Sequence, residues 1–196
     1  MYIEFKTFLE KLVSIDNEEW NCIKKHLHLK KYKKRDILQH AGEVSKEIRF
    51  INSGIARMYY IDEKAKELTC QISANNKKLN IEDRFIGDYN SFLQQKPSNL
   101  FIEALSDCEI IEITYDDLKS LYKKIKKIET VENIIKSKWI ESMQKEIMEK
   151  KSLSHIYQYE EFLEKYNDLL DHIPQYIIAS FLGITPVALS RLKKHL

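Results

Sequence analysis

The sequence IPQYIIASFLGITPVALSRLKKHL, from Ile173 to Leu196, decides the fold. It predicts a short helix up to Leu182, a turn at Gly183 and a second helix that begins after Thr185. Glycine reaches a positive φ without strain, and a Thr-Pro pair starts helices well because threonine caps the helix and proline fits its first position. The spacing favours a helix-turn-helix, although an ordinary corner between two helices has the same outline.

The second helix of this segment carries the residues that would meet DNA. Its inner face is apolar, and its outer face holds small, polar and basic side chains at helical spacing. In a helix-turn-helix, that outer face enters the major groove. We expect Arg191 to contact guanine, Val187 a thymine methyl group, and the other three the phosphates. The predicted DNA-binding residues are Thr185, Val187, Ser190, Arg191 and Lys194.

The composition of the chain limits what the rest of it can do. At 196 residues, 43% hydrophobic and 32% charged, it is typical of a globular protein with one or two domains. A net charge of +2 gives no global basic field, so any nucleic-acid surface must be local. No apolar run approaches the roughly 18 residues of a membrane span, and the N-terminus lacks the pattern of a signal peptide. We therefore expect a cytoplasmic protein with no membrane partner.

Chemistry-bearing motifs are sparse. Cys22, Cys70 and Cys108 are scattered singly, which favours reduced thiols in the core, and the six histidines show no metal-ligand spacing. The chain has no GxSxG, P-loop, HExxH or glycine-rich fingerprint, and it contains four glycines in all. We expect no metal, no cofactor and no enzymatic activity.

Between two helical regions lies a block of predicted strands, residues 29–114. The segment Phe50–Ile61 reads as strand, Asn-Ser-Gly turn and strand, which predicts a hairpin. Further strands are predicted at residues 68–73, 101–105 and 109–113. Several short strands separated by turns indicate a sandwich or barrel. A five-residue basic set around Tyr32 in this block, KKYKKR from Lys30, reads as a solvated face with the tyrosine inward; a nucleic-acid patch is the alternative.

A long amphipathic helix is predicted over residues 129–150, which contain no glycine or proline. Apolar side chains recur at every fourth position, and the opposite face is charged. A helix of this length must bury its stripe, either on its own domain or against a second copy of the chain. We favour the dimer interface. Its predicted residues are Val131, Ile135, Trp139, Met143 and Ile147.

The order of these parts resembles the Crp/Fnr family of bacterial transcription regulators over essentially the whole chain. The similarity lies in the helix-turn-helix and in a moderate match to a cyclic-nucleotide-binding β-roll: Asp36-Ile37-Leu38, Gly42-Glu43, residues 50–54, Phe85-Ile86-Gly87-Asp88, Glu103-Ala104-Leu105 and residues 109–113. The resemblance implies an α+β fold with N-terminal helices and a jelly-roll-like sensor at 1–128. A dimerisation helix would follow at 129–150, and a helix-turn-helix domain at 151–196. Since the sequence ends with the second helix, we expect no full wing.

The resemblance also implies an effector pocket, and the residues at its positions indicate which ligands it could bind. Family members that bind cyclic AMP carry Gly-Glu at the start of the phosphate-binding segment and Arg-Ser or Arg-Thr before the next strand. Here the first pair is Gly87-Asp88, and Ser98-Asn99 stand where the arginine pair belongs. Losing the arginine removes a charge-assisted contact to the cyclic phosphate, so we predict no tight binding of cyclic AMP or cyclic GMP. The pocket residues are Arg57, Gly87, Asp88, Ser98 and Asn99.

These features predict a homodimeric, sequence-specific DNA-binding transcription regulator. Its partners would be a pseudo-palindromic double-stranded operator, a second copy and, by family resemblance, RNA polymerase; an unidentified small-molecule effector stays open. Two alternatives remain. One is an effector-binding or protein-interaction module with a degenerate helix-turn-helix, because Pro186-Val187-Ala188 leave the first turn of the reading helix uncharged. The other is a direct repressor without an effector.

Overall fold

The computed structural model describes residues 2–76 and 78–194, and within them it contains eight α-helices and eight β-strands. The helices are α1 (Ile3–Glu10), α2 (Asn17–Lys24), α3 (Tyr89–Gln94), α4 (Tyr115–Lys124), α5 (Lys127–Ser152), α6 (His155–Tyr166), α7 (Gln175–Phe181) and α8 (Pro186–Leu192). The strands are β1 (His28–Tyr32), β2 (Ile37–Gln39), β3 (Glu47–Ser53), β4 (Ile55–Ile61), β5 (Glu67–Ala74), β6 (Phe85–Ile86), β7 (Phe101–Ala104) and β8 (Cys108–Thr114). Short 3-10 helices span Glu82–Arg84 and Asn167–His172.

The strands form two four-stranded antiparallel sheets. Sheet A has the order β1-β8-β3-β6 and sheet B the order β2-β7-β4-β5. Their facing sides enclose a core to which Ile51 and Ile110 contribute from sheet A, and Ala56 and Ile102 from sheet B; all four are fully buried. The predicted α+β fold with a two-layered β-roll is confirmed.

The hairpin predicted across Gly54 is wrong, because β3 belongs to sheet A and β4 to sheet B. Gly54 has φ +89°, and a Cβ there would lie 2.4 Å from the carbonyl oxygen of Asp107. Gly54 therefore allows the chain to pass closely by Asp107 as it crosses from sheet A to sheet B. The hairpin is instead β4–β5, whose loop is closed by the Asp62 carboxylate accepting from the backbone N–H groups of Lys64 and Lys66.

The outer face of sheet A is covered by α1, α2, α4 and the first half of α5. Four phenylalanine rings stand at its centre, with neighbouring centroids 5.1–5.4 Å apart in tilted or edge-to-face contact, as aromatic quadrupoles favour. They are Phe5, Phe8, Phe50 and Phe85. Because these helices occupy this face, it is not available to the C-terminal helices.

The C-terminal helices α6, α7 and α8 pack on the outer face of sheet B. Ile55 and Ile72 of the sheet share one core with Phe162, Tyr166 and Ile177 of the helices. The hydroxyl of Tyr166 donates a hydrogen bond to the carbonyl oxygen of Ile72 (3.1 Å). The predicted segment 151–196 thus completes its core with the roll. Among the described residues no single helix is long and apolar enough to cross a membrane; α7 and α8 meet that composition only as a pair bent by 94°.

The stripe of α5 is divided between two environments. Val131 is 5% exposed, and Ile135 and Trp139 are half-buried against the sheet A helices, whereas Met143 and Ile147 are 60% and 52% exposed. The first three of the five predicted interface residues therefore pack within the same chain, against sheet A and its helices. The last two leave an open apolar surface.

The basic segment, residues 30–35, begins in β1 and is a charge-paired face. Lys31 lies 3.0 Å from Glu109, and Lys33 lies 2.7 Å from Asp107, so the cations are offset by carboxylates of β8 and its preceding turn. Tyr32 points inward, as predicted. Of the three cysteines expected in the core, Cys108 is buried and Cys22 half-buried, but the expectation is wrong for Cys70, which is exposed at the β-bulge where the register between β4 and β5 shifts.

Candidate nucleic-acid interface and effector pocket

The helix-turn-helix has the predicted local geometry. Gly183 adopts φ +69° and ends α7, and the Thr185 hydroxyl oxygen accepts from the backbone N–H of Ala188 (3.1 Å) to cap α8. Pro186 occupies the first helical turn. The 94° bend between α7 and α8 lies within the range of DNA-binding helix-turn-helices. Helix α8 ends at Leu192; of the extension predicted to Leu196, residues 195–196 lie outside the described residues.

All five predicted DNA-binding residues are exposed on α8 or its ends, and Val187 is 62% exposed. Leu189 is buried on the opposite face, which fixes the rotation of the helix. Arg191 and Lys194 bring positive charge to the outer face. Sequence reasoning left out Lys193, whose Nζ donates to the side-chain oxygen of Gln175 (3.1 Å) and ties the end of α8 to the start of α7.

A contact that the sequence did not predict docks α7 on the sensor. The Ser180 hydroxyl donates to the carbonyl oxygen of Glu67 and accepts from the backbone N–H of Thr69, both at 2.8 Å. These two backbone groups belong to β5, the edge strand of sheet B. An ion pair between Lys165 and Asp83 (2.8 Å) adds to the same junction. Helix α7, against which α8 packs, is therefore held in a defined position relative to the β-roll.

Arg57 lies at this junction and not in the roll interior. It is 2% exposed, and its guanidinium lies 2.6 Å from the carboxylates of both Glu67 and Glu103. It also stacks over the Tyr59 ring at 4.0 Å and lies 5.8 Å from the ring of Tyr176 in α7. Burial alone would lower its pKa, but Glu103 and Glu67 outweigh burial and raise the pKa above its ordinary value.

The geometry therefore separates Arg57 from the rest of the predicted pocket. Successive residues of a strand point to opposite faces, and the neighbouring Ala56 faces the roll interior. Arg57 consequently points outward, where it joins sheet B to α7. The sequence could not reveal this, because alternation shows that two residues differ in face but not which face is inside.

The remaining pocket residues form a closed hydrogen-bond set. One Asp88 carboxylate oxygen accepts from the backbone N–H of Ser91 (3.0 Å) and caps α3, while the other accepts from the Ser98 hydroxyl (2.7 Å). Ser98 is buried, and its hydroxyl oxygen accepts in turn from the backbone N–H of Leu100 (3.0 Å). Gly87 adjoins this set, whereas Asn99 is exposed. The polar groups of Asp88 and Ser98, which would otherwise face a ligand, are thus used to stabilise this segment.

A second buried arginine, which sequence reasoning missed, lies in the roll interior. Arg49 is 4% exposed; its Nε donates to Glu112 (3.1 Å) and its Nη2 to Glu47 (2.9 Å). Glu112 also accepts from the Tyr32 hydroxyl (2.6 Å), and Lys30 lies 2.9 Å from it. Burial would raise the pKa of Glu112, but these donors lower it below its ordinary value.

The charges of this cluster, in which Lys30 reaches Glu112 from an exposed position, therefore balance. Two cations, Arg49 and Lys30, stand against two carboxylates, Glu47 and Glu112. An anionic ligand would have to compete with these carboxylates for the charge of Arg49, of which only Nη1 has no hydrogen-bond partner among the described residues. The sequence feature that could have identified Arg49 is a single arginine among the apolar residues of β3, between Ile48 and Phe50.

Comparisons with known proteins agree with this architecture. The family described as the cyclic nucleotide-binding domain matches residues 29–125. Over 96 residues the chain is 29% identical to the cAMP-activated global transcriptional regulator CRP of Salmonella typhimurium, a match that covers 49% of this chain and 42% of that relative. The match thus spans less than half the length of the curated relative.

Solved structures extend the similarity over most of the chain. The c-di-GMP responsive global regulator CLP of Xanthomonas campestris superposes with a TM-score of 0.71 at 15% identity, covering 92% of this chain and 91% of that one. FixK2 from Bradyrhizobium japonicum gives a TM-score of 0.72 at 13% identity, covering 87% and 84%. At such identities the likeness establishes the fold.

Proposed function

Because the chain belongs to the Crp/Fnr family, we propose that it is a cytoplasmic, homodimeric transcription regulator that reads DNA with α8 and does not respond to cyclic AMP. The observation that carries the proposal is the capped α8, which presents its five predicted contact residues to solvent while its other face is buried. A regulator of this kind binds two half-sites about one helical turn apart.

Two further observations support the finer parts of the proposal. Met143 and Ile147 form an exposed apolar surface on α5 that a second copy would cover. Inside the roll, Arg49 is ion-paired with Glu112 and Glu47, so its charge is already compensated although its Nη1 has no hydrogen-bond partner among the described residues, and the Ser98 hydroxyl is committed to Asp88. Micromolar binding of cyclic AMP in calorimetry would contradict this last part.

The test is fluorescence anisotropy with duplexes enriched from a random-sequence pool, at two salt concentrations. Arg191→Ala should weaken binding to the enriched duplex by about 1–3 kcal/mol, or roughly 5- to 150-fold, because it removes a base contact. Lys123→Ala removes one exposed cation of α4, which packs on sheet A and not on the sheet B side that carries α8, and is the matched control. Binding should fall with salt as phosphate contacts are screened. Failure to enrich any sequence over the Arg191→Ala protein would favour the module with a degenerate helix-turn-helix.

Dimerisation is tested separately by sedimentation equilibrium. We expect Met143→Glu combined with Ile147→Glu to shift the protein to a monomer, because two carboxylates cannot be buried without partners. An unchanged dimer would place the interface elsewhere on the molecule.

A further inference from the structure

A cleft lies outside the β-roll, beneath the first half of α5. Its walls come from α1, α2, α4, α5 and the outer face of sheet A, and its cavity volume is about 80 Å³. We call it the α5 cleft. Its lining is apolar, with Trp139 on one wall, except for a short rim on α5 and Tyr89. A concave, apolar lining with a few polar groups at its edge is typical of small-molecule sites.

The polar groups at the rim of the α5 cleft bond to one another. The Glu132 carboxylate accepts hydrogen bonds from the hydroxyls of Tyr89 and Tyr122, and the ammonium group of Lys136 lies 2.8 Å from it. One negative and one positive charge therefore cancel at the rim. Neither charge is left over to hold an ionic ligand.

We propose that the α5 cleft binds an uncharged, largely apolar small molecule, with its body beneath α5 and a hydroxyl or carbonyl end at the Tyr89–Glu132 rim. A ligand carboxylate would compete with Glu132 for Lys136, and a ligand ammonium would compete with Lys136 for Glu132. Either charge would be desolvated without a partner, which is costly, so the rim selects against both. The site is separate from the roll interior and does not depend on DNA binding.

The experiment uses Trp139 as the reporter. The chain has two tryptophans, so Trp20→Phe leaves the Trp139 indole on the cleft wall as the single source of tryptophan fluorescence. The probes are octan-1-ol, octanoate and octylammonium, which share one apolar chain and differ in charge. We expect a saturable change of Trp139 emission with octan-1-ol, and binding of the two ions about tenfold or more weaker because each must be desolvated.

A cavity-filling variant tests the location. Val131 lines the cleft, and Val131→Phe should weaken octan-1-ol binding by about tenfold or more because the added ring occupies the space. Ile140→Phe, at an exposed position of the same helix, is the matched control and should leave binding unchanged. If circular dichroism shows that Val131→Phe does not fold, Ile135→Phe at the half-buried wall replaces it.

Three results would overturn the proposal. The first is no saturable response to octan-1-ol. The second is equal binding by the cavity-filling variant and Ile140→Phe. The third is binding that weakens as protein concentration rises, which would mean that a second copy of the chain, and not a small molecule, covers the cleft.

Discussion

The two halves of α5 share one sequence pattern but have different surroundings. Around Val131 the apolar stripe packs against the N-terminal helices and sheet A, whereas around Met143 and Ile147 the same stripe is exposed. An amphipathic period shows that a face must be covered but not what covers it. One helix thus belongs to the core around sheet A at its start and leaves an apolar surface exposed at its end.

The largest expected effect is a difference in the free energy of unfolding between substitutions in the two halves of α5. Val131→Asp places a carboxylate in the core, and we expect the free energy of unfolding to fall by about 3–5 kcal/mol because the charge has no partner. Met143→Asp, twelve residues later on the same stripe, is the matched control and should leave the monomer as stable as before. Urea denaturation measures both; equal midpoints would mean that the halves do not differ.

The next effect concerns the Glu132 rim of the buried half. Glu132→Gln removes the charge that Lys136 and two tyrosine hydroxyls contact, and we expect a loss of about 1–3 kcal/mol at neutral pH. Burial raises the pKa of Glu132, but Lys136, Tyr122 and Tyr89 outweigh it and hold the pKa below the ordinary 4.5.

The pH dependence of that effect has a definite sign. A carboxyl with a lowered folded pKa stabilises the fold above its unfolded pKa, and the contribution is lost as the pH falls through the folded value. Wild-type stability should therefore decline below about pH 4.5 more steeply than that of Glu132→Gln. Parallel curves from pH 7 to pH 2 would show that Glu132 contributes no linkage.

A smaller effect on unfolding is expected in the exposed half. Met143→Glu with Ile147→Glu should change monomer stability by no more than about 0.5 kcal/mol, because exposed substitutions bury nothing. The same protein should lose self-association. Calorimetry at a concentration where the variant is monomeric separates the two readouts; a large drop in stability there would show that the exposed half is part of the fold.

The smallest effect should come from the exposed ion pair between the halves. Lys138 lies 2.9 Å from Glu141, and both side chains are solvated. We expect Lys138→Ala to leave the urea midpoint unchanged within error, because exposed pairs are screened and side-chain ordering offsets their attraction. A clear shift in midpoint would mean that the exposed half is more ordered by charge than by packing.

Local signals predicted the fold well where neighbours in sequence decide the structure. Gly183 and the Thr185-Pro186 start required only short-range chemistry, and the structure confirms both. The Asn-Ser-Gly segment before β4 led to a wrong prediction for the same reason. A tight turn at glycine has the same local sequence whether it joins two strands of a hairpin or two strands in different sheets. Only the pairing of distant strands distinguishes them.

The candidate site was less predictable because it depends on which face of each element is inside. Arg57 was expected in the pocket but joins sheet B to α7, while Arg49 was overlooked and occupies the interior. Both are arginines within apolar alternation, and a single strand does not show its orientation. The Ser180 contact joins residues more than 100 positions apart, which no local pattern contains.

That Ser180 contact has a consequence for solubility. The outer side of β5 is a sheet edge, and unpaired edge backbone readily adds a strand from another chain. Ser180 occupies the carbonyl of Glu67 and the amide of Thr69, so α7 shields the edge as long as it stays docked. Any motion that lifts α7 off the β-roll would uncover that edge. Release of α7 would therefore carry a risk of intermolecular strand pairing and aggregation, against which a serine hydroxyl is the local safeguard.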